Sequence, residues 1–154
     1  MRSRFNLLTF ACLLTACSDA PTEPAALPLS IGPIRAERVG WDMVFSAYVR
    51  NPQRDTAVYN VSASSGGFNV VVRKAGVTED DVWHADYLDF TLRSYQVSIL
   101  PRDSIELTVR WFGVLTSGPH DVSAEFLTDN GKVMGRTART QTFEIPPPPI
   151  TIVQ

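Results

Sequence analysis

Thiol, imidazole and clustered positive charge are scarce in this chain, and each scarcity excludes a class of chemistry. The cysteines are Cys12 and Cys17, so nothing from residue 18 onward can form a disulfide or act as a thiol nucleophile. The two histidines, His84 and His120, lie 36 residues apart and lack the spacing of zinc ligands. His120 stands beside Asp121, but neighbours on a strand point to opposite faces, so the pair cannot work as a base and its orienter. No Gly-x-Ser-x-Gly elbow occurs. Lys and Arg form no run longer than Arg73-Lys74, which removes the basic patch that nucleic-acid binding rests on. No apolar stretch approaches the roughly 20 residues of a spanning helix, no helical period is sustained, and no internal repeat is present. The expectation is a protein with no catalytic residues, no metal and no cofactor.

What remains is ordinary globular material. A chain of 154 residues allows one domain, and 44% hydrophobic with 19% charged residues is a folding composition, not a disordered one. The formal charge is −2, and without Arg2 and Arg4 the 16 acidic groups outnumber 12 basic ones. That balance again argues against a nucleic-acid partner.

The N-terminus reads as an address. Met1 to Asn6 carries two arginines, Leu7 to Leu14 is apolar apart from Thr9, and Leu14-Thr15-Ala16-Cys17 closes the segment. A basic start, a short apolar stretch and small residues before a cleavage point mark a secretory signal. The segment resembles a bacterial lipoprotein signal with its lipobox: Leu14 at −3, small Thr15 and Ala16, and Cys17 as acceptor. That resemblance implies cleavage before Cys17, diacylation of its sulfur and, in many bacteria, acylation of its new amino group. Two or three chains of the palmitate kind would hold firmly, since each buried methylene contributes about 0.8 kcal/mol. Cys12 leaves with the signal, so no internal disulfide is possible. In Gram-negative lipoproteins an aspartate directly after the cysteine retains the protein in the inner membrane. Here Ser18 follows and Asp19 comes one place later, which favours the periplasmic leaflet of the outer membrane.

Residues 1–16 are thus expected as signal peptide and residues 17–32 as a lipidated cysteine with a Pro/Ala-rich linker, since Pro21, Pro24 and Pro28 favour extended, unpaired backbone. A domain is expected over 33–145. The Pro146 to Pro149 run cannot feed a sheet ladder and opens a tail over 146–154.

Inside the domain the period is two. Ile105, Leu107, Val109 and Trp111 alternate with Glu106, Thr108, Arg110 and Phe112, giving a strand with one core face and, because of Phe112, partial cover on the other. A central strand is the expectation. Ile34 to Arg38 reads as an edge strand turning at Gly40. Trp41, Met43, Phe45, Ala47 and Val49 share a face, as do Tyr59, Val61 and Ala63. Phe68, Val70 and Val72 form another apolar face with Val71 behind it, so burial on both sides is expected. Phe90 to Leu100 is extended with a change of phase near Arg93-Ser94. His120, Val122, Ala124 and Phe126 alternate, Thr128-Asp129-Asn130-Gly131 is the strongest hairpin signal, and Gln141, Phe143 and Ile145 share the last face. Short strands with turns every 8 to 12 residues indicate an all-β, immunoglobulin-like antiparallel β-sandwich.

Val82-Trp83, Phe90-Thr91, Leu100-Pro101, Trp111 and Ser117-Gly118-Pro119-His120-Asp121-Val122 together resemble the intracellular proteinase inhibitor (BsuPI) family over roughly Asn51 to Leu127. Arg102-Asp103 replaces that family's Gly-Glu, His84-Ala85 a Trp-Ser-like pair, and His120 its usual aromatic. The resemblance implies a sandwich built around Trp83, Phe90, Pro101, Trp111 and Gly118, and a protein partner of the protease kind. Three exposed segments qualify as inhibitory loops: Val77 to Asp81, Ser62 to Gly67 and Val114 to Ser117, which the sequence does not rank. Glu79, Asp80, Asp81, Asp86 and Asp89 miss the spacing of a calcium loop and read as a solvated acidic turn. The expected function is a lipid-anchored, extracytoplasmic, non-catalytic protein-binding module resembling a proteinase inhibitor; the alternative is a structural or adhesive module of the cell envelope.

Overall fold

The computed structural model describes residues 27–62, 66–78, 81–85 and 94–149. Their strands are β1 (Ser30–Ile31), β2 (Arg35–Val39), β3 (Asp42–Arg50), β4 (Ala57–Ser62), β5 (Phe68–Lys74), β6 (Asp81–His84), β7 (Ser94–Ile99), β8 (Ser104–Trp111), β9 (Gly118–Leu127), β10 (Val133–Arg136) and β11 (Gln141–Ile145). One sheet centres on β3, which pairs with β8 along one edge and with β2 and then β1 along the other. The second runs β6, β5, β9, with β10 and β11 sharing the far edge of β9. Strands β4 and β7 form a pair of their own. Among the described residues all strand pairs are antiparallel, and an isolated parallel bridge joins Ile31 to Thr137.

The period-two pattern decides which side chains meet. Met43, Phe45, Ala47 and Val49 of β3 are buried, and so are Phe68, Val70 and Val72 of β5 and His120, Val122, Ala124 and Phe126 of β9. Burying one such apolar side chain contributes about 1.5–3 kcal/mol. Rings join the layers: Phe45 of β3 stacks on Trp83 of β6 at 6.1 Å, and Tyr59 of the β4–β7 pair meets Phe126 of β9 edge-on at 5.7 Å. The all-β, immunoglobulin-like sandwich expected from the sequence is the observed architecture. The hairpin at Thr128 to Gly131 closes with Gly131 N donating to Thr128 O at 2.9 Å. Gly67 is required where it stands: φ is 77°, and a Cβ there would lie 2.7 Å from both Leu127 O and Val61 Cγ1.

Three local expectations are corrected. Residues 29–32 belong to the sandwich and not to the linker, because Leu29 and Ile31 are buried and Leu29 N donates to Met134 O at 2.9 Å. Pro28 and Pro33 bracket a strand so short that their missing N–H groups cost it no ladder bond. Trp41 leaves the core face of β3: Gly40, at φ 63°, turns the chain, and the strand begins only at Asp42. Strand β8 is not central among the described residues, since it pairs with β3 alone, and Phe112 lies exposed beyond its end. The inward alternation of Ile105, Leu107, Val109 and Trp111 nevertheless stands.

Candidate functional site

Strand registers sort the loops onto two ends. Trp111 lies opposite Met43, and Lys74 lies opposite His120. The turn between β2 and β3, the segment after β5 and the loop between β8 and β9 therefore share one end. Arg50 lies opposite Ser104 and Phe68 opposite Phe126, which puts the β3–β4, β4–β5 and β9–β10 connections and the β7–β8 turn at the other. The chain enters at that second end, where Ser30 faces Arg50. Of the three candidate loops, Val77 to Asp81 and Val114 to Ser117 share the first end, and Gly66 and Gly67 of the third lie at the second. Residues 63–65, 79 and 80 lie outside the described residues.

The first end carries a set of exposed apolar side chains. Trp41 is 43% exposed, Phe112 62% and Leu115 76%. They sit on backbone that is held from several sides. Val114 N donates to Trp41 O at 2.7 Å, and Gly113 N to Asp42 Oδ1 at 2.9 Å. Arg38 shares the inward face of β2 with Ala36, and its guanidinium donates to Val114 O at 3.2 Å and to Thr116 O at 3.4 Å. One cation thus holds the carbonyls on either side of Leu115. Val114 is buried, Leu115 exposed, Thr116 half-buried and Ser117 exposed, the alternation of an extended chain. Arg110 completes the frame, 3.6 Å from Asp42 Oδ2 and with its guanidinium 5.9 Å from the Phe112 ring centroid.

His120 anchors the base of the same loop. It is fully buried, its Nδ1 lies 2.9 Å from Gly118 O and its Nε2 3.2 Å from Thr116 Oγ1. A carbonyl can only accept, so Nδ1 carries a proton, and Nε2 shares a hydrogen bond with the threonine hydroxyl. Asp121 points to the other face, where Thr142 Oγ1 donates to it at 2.6 Å. His120 and Asp121 are kept apart, as strand geometry requires.

The residues singled out by the sequence fall in three places. Trp83 is buried, half-buried Trp111 stacks on it, and both belong to the interior ring stack. Pro101 lies in the β7–β8 turn at the second end, and Gly118, at φ 93°, opens β9 beside His120. Phe90 and Cys17 lie outside the described residues. Asp81 is paired with Arg73 at 2.7 Å, while Glu79, Asp80, Asp86 and Asp89 are outside the described residues. Among the described residues no group of three or more His, Cys, Asp or Glu is placed to hold a metal ion.

Sequence reasoning missed Arg38 and the outward turn of Trp41. An arginine on the inward phase of an edge strand, one residue before Val39-Gly40, was the available signal for the first. The glycine ahead of Trp41 was the signal for the second.

No family model and no curated protein matches the chain. Among solved structures it is similar to a β-glucuronidase of glycoside hydrolase family 2, at 11% identity and TM-score 0.48, covering 77% of this chain and 13% of that one. It is similar to a GH3 β-glucosidase of Bifidobacterium adolescentis at 14% identity and TM-score 0.44, covering 77% and 17%. A catalytically inactive OgpA of Akkermansia muciniphila, in complex with an O-glycopeptide, gives 17% identity and TM-score 0.41, covering 79% and 30%. The chain therefore spans less than a third of the length of each of these structures.

Proposed function

We propose that this chain is a lipid-anchored, extracytoplasmic binding module of proteinase-inhibitor type, with no catalytic activity of its own. The observation that carries the reading is the loop end itself: large apolar side chains stand in water on backbone fixed to the sandwich by hydrogen bonds. Exposed aromatic and aliphatic groups on fixed backbone are the makings of a protein-binding surface, because little ordering entropy remains to be lost on association. The resemblance over Asn51 to Leu127 supplies the class of partner, a protease. The signal-like residues 1–16 and Cys17 supply the anchor, and entry of the chain at the opposite end leaves the exposed loops facing away from the tether.

Two measurements test this. Labelled palmitate enters the wild type and not Cys17→Ser; label in the variant, or a mature chain beginning at Ser18, removes the anchor. The full-length chain in detergent inhibits a serine protease at micromolar concentration; no inhibition across a panel removes the inhibitor and leaves a structural or adhesive module of the envelope.

A further inference from the structure

We infer that the loop over 112–117 is the inhibitory segment, and that Leu115 fills an apolar primary specificity pocket in a serine protease. The inference rests on the inhibitor reading above and ranks loops that the sequence left equal.

A protease cleft binds an extended segment, and a segment that inhibits must be held in that shape before it docks, because a flexible one loses ordering entropy and behaves as substrate. The 112–117 loop meets the requirement without a disulfide. Its extended alternation places Val114 in the interior and Leu115 in solvent at 76% exposure, more than any other large apolar residue described. The carbonyls of Val114 and Thr116 both accept from Arg38, Val114 N donates to Trp41 O, and the Thr116 hydroxyl is tied to His120. The residues before and after Leu115 are therefore fixed while its side chain is free. That division of roles suits a residue that enters a pocket.

The neighbouring groups fit the same docking. Phe112, which opens the loop, and Trp41 beside it stand exposed and extend the apolar contact past the pocket. Val77, at the same end, is less exposed, and its backbone N–H donates locally, to Lys74 O at 3.0 Å. Gly66 and Gly67 lie at the end where the chain enters. The partner's pocket must take a branched aliphatic chain, so a chymotrypsin-like or subtilisin-like specificity fits, and a pocket with a buried carboxylate for Arg or Lys does not.

Inhibition constants for full-length chain in detergent against chymotrypsin, subtilisin and trypsin decide the matter. The wild type is expected to inhibit at least one of the first two and not trypsin. Leu115→Asp should raise the inhibition constant by about 100-fold, the scale of a central anchor residue. Leu115→Arg should lose the first activity and gain inhibition of trypsin. Arg38→Ala should weaken inhibition by about tenfold, with Leu115 now held by fewer bonds. Because Leu115 is exposed, its variants keep the fold, and unchanged circular dichroism checks this. Inhibition by the wild type that Leu115→Asp leaves within about twofold overturns this loop and leaves the proposed function standing. Absence of inhibition of all three enzymes overturns the inhibitor reading and this inference with it.

Discussion

Trp83 lies against Trp111 with ring centroids 5.5 Å apart and planes 10° from parallel. The centroid distance exceeds the roughly 3.5–4 Å between ring planes in contact, so the nearly parallel stack is offset, the arrangement that ring quadrupoles favour. It joins the second sheet to the edge strand of the first, and Phe45 of β3 also stacks on Trp83, at 6.1 Å. Trp83→Ala should cost about 3–5 kcal/mol, while Trp111→Ala, with part of its indole in water, should fall near 3 kcal/mol. Denaturant titration of both singles and the double should give a coupling of about 0.5–1.5 kcal/mol. Strict additivity would mean that the two indoles only fill space.

Asn51 is the second point of dependence, and it is fully buried. Its Nδ2 donates to Asp55 O at 2.8 Å and Ile99 O at 3.0 Å, its Oδ1 accepts from Gln53 N at 3.0 Å, and its own N–H reaches Asp103 O at 2.9 Å. One side chain therefore ties the β3–β4 loop to the β7–β8 turn. Asn51→Ala leaves those carbonyls without their donor and should cost roughly 2–3 kcal/mol. Asn51→Asp, which also brings an acceptor against acceptors, should be worse in the same melt. Equal stability of the aspartate variant would show that water replaces the lost donors.

Arg102 holds φ at 59° in a turn that Asp103 N closes onto Leu100 O at 3.2 Å. Proline at the second position and positive φ at the third is type II geometry, which suits glycine. Left-handed backbone costs a non-glycine residue about 1–2 kcal/mol, and glycine gives back roughly 0.5–1 in the unfolded chain. Arg102→Gly should therefore stabilise by about 0.5–1 kcal/mol, and Arg102→Val should destabilise. A glycine variant that melts below wild type would show that the arginine side chain has a role in the turn.

Burial raises the Tyr59 phenol above its ordinary value, because the phenolate would lose hydration against Phe126. The unfolded chain then ionises first. The contribution of Tyr59 to stability is complete below pH about 10 and declines as pH rises from there through the folded value. The stability difference between wild type and Tyr59→Phe should be flat from neutrality to about pH 9 and move against the wild type above about pH 10. Parallel curves through that window would contradict the assignment.

Much of the candidate end was readable in pieces. Val114 to Ser117 was one of three eligible loops, and Gly40 marked a turn. What the sequence could not supply was adjacency. Arg38 and Thr116 are 78 residues apart, and their contact exists only because β2 and β8 border opposite edges of β3. The phase of Trp41 misled for a related reason: period two says which residues share a face while the strand continues, and not where a glycine ends it. Leu29 and Ile31 were hidden among prolines, whose signal for extended chain fits a linker and an edge strand alike.

The sequence alone determined the sandwich, because side chains on a pleated strand must alternate and only facing sheets can bury stripes such as Met43 to Val49 and His120 to Phe126. It also determined that nothing from residue 18 onward can supply a thiol, since the cysteines are Cys12 and Cys17. The tertiary structure decided which loops meet, which strand is an edge and which apolar residues remain in water. Those depend on register between segments far apart in the chain, and no local pattern carries that information.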